Sequence, residues 1–254
     1  MVSNSKISGY STTLLSGKLA LVTGAGKGIG RTCAEALVKT GASVIAVART
    51  EADLLELAGD LGDKLIPWVE DVTSDAFLSR LEARKDIDIL INNVGSNQPE
   101  PFIEIERSTY DRIVDMNLGS VFRATQVVVR NLLQADKAGS IVNISSQMGH
   151  VGSPKRTLYC ATKHAIEGFT KALAVELAQS NIRINSVAPT FVETALTKPM
   201  LENPEFANFV MSKIPMNKLA STDDVAAAVI YLASELSSMV TGTSVLVDGG
   251  WVAH

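Results

Sequence analysis

Residues 19–30 read Leu-Ala-Leu-Val-Thr-Gly-Ala-Gly-Lys-Gly-Ile-Gly. A short apolar run of strand character breaks into glycines at 24, 26, 28 and 30, and a segment of helical period follows. Glycine spacing alone also describes an ordinary tight turn. Placed between a strand and a helix, it does more: it lets backbone amides at the positive end of the helix approach a pyrophosphate. Gly24, Lys27, Gly28, Ile29 and Gly30 are therefore candidate cofactor-binding residues. The stretch lacks the Lys-Ser/Thr ending of a triphosphate loop, which argues against that chemistry.

Outward from this loop, short β-branched runs alternate with longer helical segments, the pattern of an α/β chain whose parallel sheet carries helices on both faces. Strands are expected at 19–23, 43–48, 65–69, 87–91, 140–145, 183–187 and 244–247. Helices should start near Gly28, Glu51, Ser74, Thr109, Val121, Leu158 and Thr222. The strands are continuously apolar rather than alternating, as burial on both faces demands. The expectation is a single Rossmann-type, doubly wound domain of about seven strands spanning 17–254, preceded by a loose Ser/Thr-rich arm, 1–16. The segment from Pro189 to Pro215 exceeds an ordinary strand-to-helix connection and has the length of a lid or binding loop at the carboxyl edge of the sheet.

The 254 residues are 46% hydrophobic and 20% charged. That is enough apolar surface to build a core, which excludes extensive disorder. No apolar run approaches the length of a membrane span. A net charge of −4 offers no broad positive field, so nucleic acid is not an expected partner. Cys33 and Cys160 are too few for a disulfide framework, and residues 1–16 lack the apolar stretch of a secretion signal; both point to a cytoplasmic setting. His150, His164 and His254 have no metal-ligand spacing, so no metal site is expected.

In a dinucleotide fold the residue that reads the adenosine ribose lies about 20 residues beyond the glycine loop, at the end of the second strand. Here the segment is Val47-Ala48-Arg49-Thr50. It has no carboxylate for a free 2′-hydroxyl. Arg49 and Lys27 instead supply cations suited to a 2′-phosphate, favouring NADP(H), although an arginine here also fits a plain solvated strand end.

Tyr159 and Lys163 stand four apart in a strongly helical stretch and share a face. A phenol with pKa ~10 is a poor acid–base catalyst near neutrality, and lowering it by ~3 units takes ~4 kcal/mol, which a nearby buried cation can help supply. The spacing alone equally describes a half-buried tyrosine beside a surface lysine. Ser146, ending the fifth strand on the same edge of the sheet as the glycine loop, adds a hydroxyl able to bond a carbonyl and favours the catalytic reading.

With these residues in place the chain resembles the short-chain dehydrogenase/reductase family over 17–250. The resemblance rests on Thr23 to Gly30, Asp71-Val72, Asn92-Asn93-Val94-Gly95, Met116-Asn117-Leu118, Ser146, Tyr159-x-x-x-Lys163 and Val247-Asp248-Gly249-Gly250. It implies that Tyr159 exchanges the proton, Ser146 orients the carbonyl, Lys163 holds the nicotinamide ribose and Asn117 anchors a water in a proton relay. It also implies that Asp71, Val72, Asn93, Gly95, Pro189, Val192 and Thr194 contact the cofactor. Within the family, the glycine loop, Ala48-Arg49-Thr50 and Ser145-Ser146-Gln147 are similar to the branch that reduces L-xylulose and dicarbonyls. That implies NADPH-dependent reduction of a ketose or α-dicarbonyl, with Gln147 near substrate oxygens.

Two positions depart from the family pattern, Val94 where alanine is usual and Thr190 after Pro189 where glycine is usual, and Arg156 stands where the branch has histidine. Arg156 either favours an acidic or phosphorylated substrate or points to solvent beside Lys155. Other readings are a 3-oxoacyl-carrier-protein reductase, weakened by the acidic balance, and a nonenzymatic NADP(H) sensor, which would be expected to lack one of Asn117, Ser146, Tyr159 and Lys163. The helices near 109–135 and 157–179 resemble the family's subunit contacts and imply a homotetramer.

Overall fold

The computed structural model describes residues 6–194 and 197–253. Seven strands form one all-parallel sheet: β1 (Leu19–Thr23), β2 (Ser43–Ala48), β3 (Leu65–Val69), β4 (Ile89–Asn92), β5 (Gly139–Ile144), β6 (Ile182–Pro189) and β7 (Ser244–Val247), in the order β3-β2-β1-β4-β5-β6-β7. The order reverses between β1 and β4, which opens a crevice at the carboxyl ends of the strands. Alternation along β1 shows how the core divides: Ala20 and Val22 enter one apolar layer and Leu19 and Leu21 the other.

The first layer is closed by α1 (Gly28–Lys39), α2 (Glu51–Leu61) and α9 (Thr222–Ala233), through Cys33, Leu37, Leu54, Val225 and Val229. The second is closed by α3 (Asp75–Glu82), α5 (Ser120–Gln134) and α6 (Thr157–Leu177), through Phe77, Leu81, Val128, Leu132 and Leu177. Both faces of the central strands are thus dry, as their continuous apolar runs require. Two short helices, α7 (Lys198–Leu201) and α8 (Pro204–Ser212), fill the long connection after β6. Among the described residues no helix is long and apolar enough to cross a membrane.

Three features depart from the sequence expectation. Residues 6–16 are not a loose arm: Ile7 and Leu15 are buried, Tyr10 donates its hydroxyl to the Ala227 carbonyl of α9, and the Leu15 N–H donates to Thr40 O. Isolated apolar anchors among serines and threonines carry that docking, and composition averages them away; residues 1–5 lie outside the described residues. Strand β4 starts at Ile89 rather than 87, because the Asp88 carboxylate takes the Leu19 N–H at 2.9 Å. The helices expected from Thr109 and Val121 are one continuous rod, in which α4 (Arg107–Val114) passes into α5 through a π-helical turn, Asp115–Gly119. Such turns are rare and concentrate at functional sites.

Candidate active site

The glycine loop leaves β1 under tight control from β4. The Thr23 hydroxyl accepts the Asn93 N–H at 2.9 Å, and Asn93 Nδ2 donates to the Thr23 and Gly24 carbonyls at 3.0 and 3.2 Å. Gly24 has φ +68°, and a Cβ at Gly30 would run into the Gly24 carbonyl, so the first turn of α1 sits directly on the loop. Lys27 caps α1 without any side-chain cap, leaving the amides of that turn facing outward. A Cβ at Gly28 would lie 3.6 Å from Thr194, which brings the segment after β6 over the loop.

These residues fit a dinucleotide. The end of β2 carries Arg49 and no carboxylate. Arg49 Nη1 lies 3.9 Å from Asp71 Oδ2, and Lys27 Nζ lies 3.4 Å from Asp53 Oδ2. Both cationic side chains are about three-quarters exposed, at 73% and 75%. Exposed pairs of this kind are worth little, so a 2′-phosphate can replace the carboxylates. Asp71 is held below the usual carboxylate range, first by the N–H and hydroxyl of Thr73 and then by Arg49. Val72 is buried in the apolar layer beside Trp68. At the other end of the crevice Pro189 closes β6 against Val247, and Val192 bridges to Ala220. Next to Pro189, Thr190 Oγ1 is buried without a partner among the described residues, a polar atom left for a ligand to satisfy.

The catalytic candidates meet where β5, α6 and the π-turn converge. Ser146 follows β5; its hydroxyl donates to Gln147 Oε1 at 2.7 Å, accepts the Met148 N–H at 3.1 Å and hydrogen-bonds the Tyr159 phenol. Gln147 is buried, so its side chain holds the serine in place. One helical turn beyond Tyr159, Lys163 Nζ lies 5.7 Å from the centre of the tyrosine ring and donates to the Ile144 carbonyl at 2.8 Å. A Cβ at Gly95 would approach Lys163 Nζ to 3.5 Å and Asn117 Oδ1 to 3.6 Å, so the Asn-Asn-Val-Gly turn leaves open space beside both. Asn117, in the π-turn, accepts the Ser96 N–H at 2.7 Å and donates to Ser96 O and Thr162 Oγ1 at 2.9 and 3.1 Å. It ties the turn after β4 to α6.

Burial pushes the Lys163 ammonium down to about 8, against the opposing pull of Glu167. Burial pushes the Tyr159 phenol above its ordinary value, and Ser146 and Arg156 are the groups that pull it down against burial. A raised phenol keeps its proton at neutral pH, the form a general acid requires.

Sequence reasoning missed two carboxylates. Asp53, in the first turn of α2, lies against the glycine loop: a Cβ at Gly26 would come 3.2 Å from its Cβ. Glu167 stands one turn past Lys163, buried, accepting from the hydroxyls of Ser186 at 2.8 Å and Ser244 at 3.2 Å. Its four-residue spacing from Lys163 was the available signal. Arg156 closes the far side of Tyr159 from the turn that starts α6, and is 8% exposed.

A family model described as enoyl-(acyl carrier protein) reductase matches residues 24–252. The L-xylulose reductase of Bos taurus is 39% identical over 246 residues, covering 94% of this chain and 98% of that protein. The 3-oxoacyl-[acyl-carrier-protein] reductase of Vibrio harveyi is 37% identical over 241 residues, covering 93% and 98%. The crystal structure of a gluconate 5-dehydrogenase from Burkholderia cenocepacia, in complex with NADP and tartrate, matches with a TM-score of 0.89 at 32% identity, covering 96% of this chain and 98% of its own.

Proposed function

The chain belongs to the short-chain dehydrogenase/reductase family, oxidoreductases of C–OH and C=O groups, and on that premise we propose that it uses NADPH to reduce a small polyhydroxy ketone or α-dicarbonyl to the alcohol. The observation that carries this reading is the convergence of Ser146, Tyr159, Lys163 and Asn117 at the carboxyl edge of the sheet, on the same edge as a glycine loop flanked by Lys27 and Arg49. The cofactor is NADP(H), consistent with the NADP-bound neighbour and with cations in place of a carboxylate after β2.

When bound, NADPH supplies the hydride. The protein's own work is binding, orientation and one proton. Gly24, Gly28, Ile29 and Gly30 would present the α1 amides to the pyrophosphate, together with Thr194. Lys27 and Arg49 would exchange their carboxylates for the 2′-phosphate, Asp71 and Val72 would contact the adenosine end, and Asn93 keeps the loop in register. Gly95, Pro189 and Val192 would contact the nicotinamide end, and Lys163 would hold the ribose.

Substrate binds with its carbonyl oxygen between Ser146 and Tyr159. The serine hydroxyl turns from Gln147 to the carbonyl, freeing the Gln147 amide for a neighbouring substrate oxygen. Tyr159 then donates its proton to the oxygen that gains charge as carbon accepts the hydride, so ketone, hydride and proton leave together as an alcohol and the tyrosine is reprotonated from solvent. Asn117 keeps the lysine and the Ser96 turn in register.

The 37% identical Vibrio harveyi protein favours a second reading, reduction of a 3-oxoacyl thioester on a carrier protein. NADPH consumption, followed by absorbance across ketoses, diacetyl, keto acids and an acetoacetyl thioester with NADH in parallel, separates the two. Turnover of ketoses and diacetyl supports the first; preference for the thioester replaces it with the second. Tyr159→Phe should cost about 10²–10⁴-fold in kcat while NADPH still binds, and substantial residual turnover would refute the assigned acid.

A further inference from the structure

We infer that Arg156 anchors an anionic oxygen group of the substrate, a carboxylate or a phosphate ester, so that the ketone this enzyme prefers carries negative charge. The inference rests on the reductase reading above and narrows its substrate class.

Arg156 is more than nine-tenths buried, yet its guanidinium has no ion pair and no hydrogen bond among the described residues. Every other arginine of the chain has one. Arg31, Arg49, Arg80, Arg84, Arg107, Arg123 and Arg130 face carboxylates, Arg112 donates to Gln98 Oε1, and Arg183 donates to Ser237 and Ser234. A guanidinium keeps its proton, and burial works against its charge while no counter-ion offsets it; its nitrogens are not sealed from the surface, so a ligand can reach them. Such a cost is retained where a ligand completes the pair.

The surroundings say which ligand. The Arg156 backbone is fixed at both ends, its N–H donating to Ser153 O at 3.2 Å and its carbonyl accepting from Cys160 at 2.8 Å, so the side chain leaves from a rigid turn. The ionisable groups it faces are Tyr159 and Cys160, both uncharged near neutrality. Lys155 beside it is exposed and of the same sign. Glu100, whose N–H donates to Lys155 O, turns one carboxylate oxygen toward Gln98 and buries the other without a partner, and it does not reach Arg156. Arg156 caps α6 three residues before Tyr159, close enough for its charge to act on the phenol. A group bonded by that guanidinium lies only a few bonds from a carbonyl bonded by the phenol. The planar fork matches a carboxylate or a phosphate in bidentate fashion.

The test compares kcat/KM, at saturating NADPH, for a keto acid, its amide, and a ketose with and without a terminal phosphate. Wild type should favour the charged member of at least one pair by tenfold or more, and which pair responds distinguishes carboxylate from phosphate. Arg156→Gln should lower that ratio by about tenfold or more, bringing it toward one, since removing one partner of a charge pair costs at least that much. Arg156→Lys should restore part of it through KM, and a thermal melt of each variant checks the fold. Titrating the wild-type and Arg156→Gln complexes with NADP⁺ by tartrate, read by calorimetry, measures the same site without turnover. Equal turnover of charged and neutral partners by wild type, or equal loss on both in the variant, overturns the anion anchor and leaves the reductase reading standing. A wild type silent on every ketone overturns both.

Discussion

Replacing Lys163 with Met should destroy activity and stabilise the fold. The Lys163 ammonium is buried and pushed from an ordinary 10.5 to about 8. At about 1.4 kcal/mol per unit, the folded state carries a cost of roughly 3 kcal/mol for keeping this charge. A lysine lowered on folding imposes its full cost below the folded value, near 8, and none above the unfolded value. The penalty is therefore complete at pH 7 and fades between about 8 and 10.5. Methionine fills the same channel without charge, but leaves the Ile144 carbonyl without the donor it holds at 2.8 Å, which returns about 1 kcal/mol. The net gain is ~2 kcal/mol. For a chain of this size that is a rise in Tm of about 4–8 °C at pH 7, shrinking toward zero or slightly below by pH 10. Scanning calorimetry of the cofactor-free protein and variant across that range is the assay, since bound NADPH would add its own stabilisation. A variant that melts lower than the parent at pH 7, or a gap that does not change with pH, would refute the reasoning.

Arg49→Asp should lower the preference for NADPH over NADH by at least ~10-fold, the scale of one charge-assisted hydrogen bond, and an unchanged kcat/KM ratio would remove Arg49 from the phosphate site. Asn117→Ala severs the link from the π-turn to Ser96 and Thr162; it should cost ~1–3 kcal/mol in unfolding free energy and expose the Ser96 amide to rapid hydrogen exchange. Phe122 on α5 and Val175 on α6 are 48% and 81% exposed, on the helices whose resemblance to the family's subunit contacts implies a homotetramer; we propose that these side chains are covered there. Sedimentation should report a tetramer that Val175→Lys weakens, and a monomer at working concentration would contradict the expectation.

The sheet was legible because parallel strands buried on both faces leave continuous apolar runs, and seven such runs set its strand count and near-correct bounds. The glycine loop was legible because its function needs local backbone geometry, which glycine spacing records directly. What escaped depends on partners far apart in the chain. Nothing near Tyr10 announces the Ala227 carbonyl, and nothing near Leu19 announces the Asp88 carboxylate. The π-turn escaped for a related reason. One extra residue in a helical rod leaves the apolar period nearly intact, and it is held by Asn117 reaching Ser96 and Thr162 across the fold. Asp53 and Glu167 read as ordinary helix acids until the sheet sets them beside the glycine loop and β6.

Glu167 also explains how a buried lysine stays useful. Burial alone would drive Lys163 further below its value of about 8, toward a neutral amine at working pH that could neither grip a ribose through three N–H donors nor favour phenolate. The carboxylate one turn along α6 opposes that loss, but a lone buried carboxylate would itself be costly. Its two oxygens are satisfied from elsewhere: Ser186 on β6 and Ser244 on β7 donate to it, and His150, in the turn after β5, places Nε2 3.4 Å away. The charge on the lysine is thus maintained by hydroxyls from the last two strands of the sheet. If so, Ser186→Ala or Ser244→Ala, neither of which touches the tyrosine or the lysine, should move the pH profile of turnover along with Lys163. A pair of variants that lost stability but kept the parental pH profile would show that β6 and β7 merely pack beside the site.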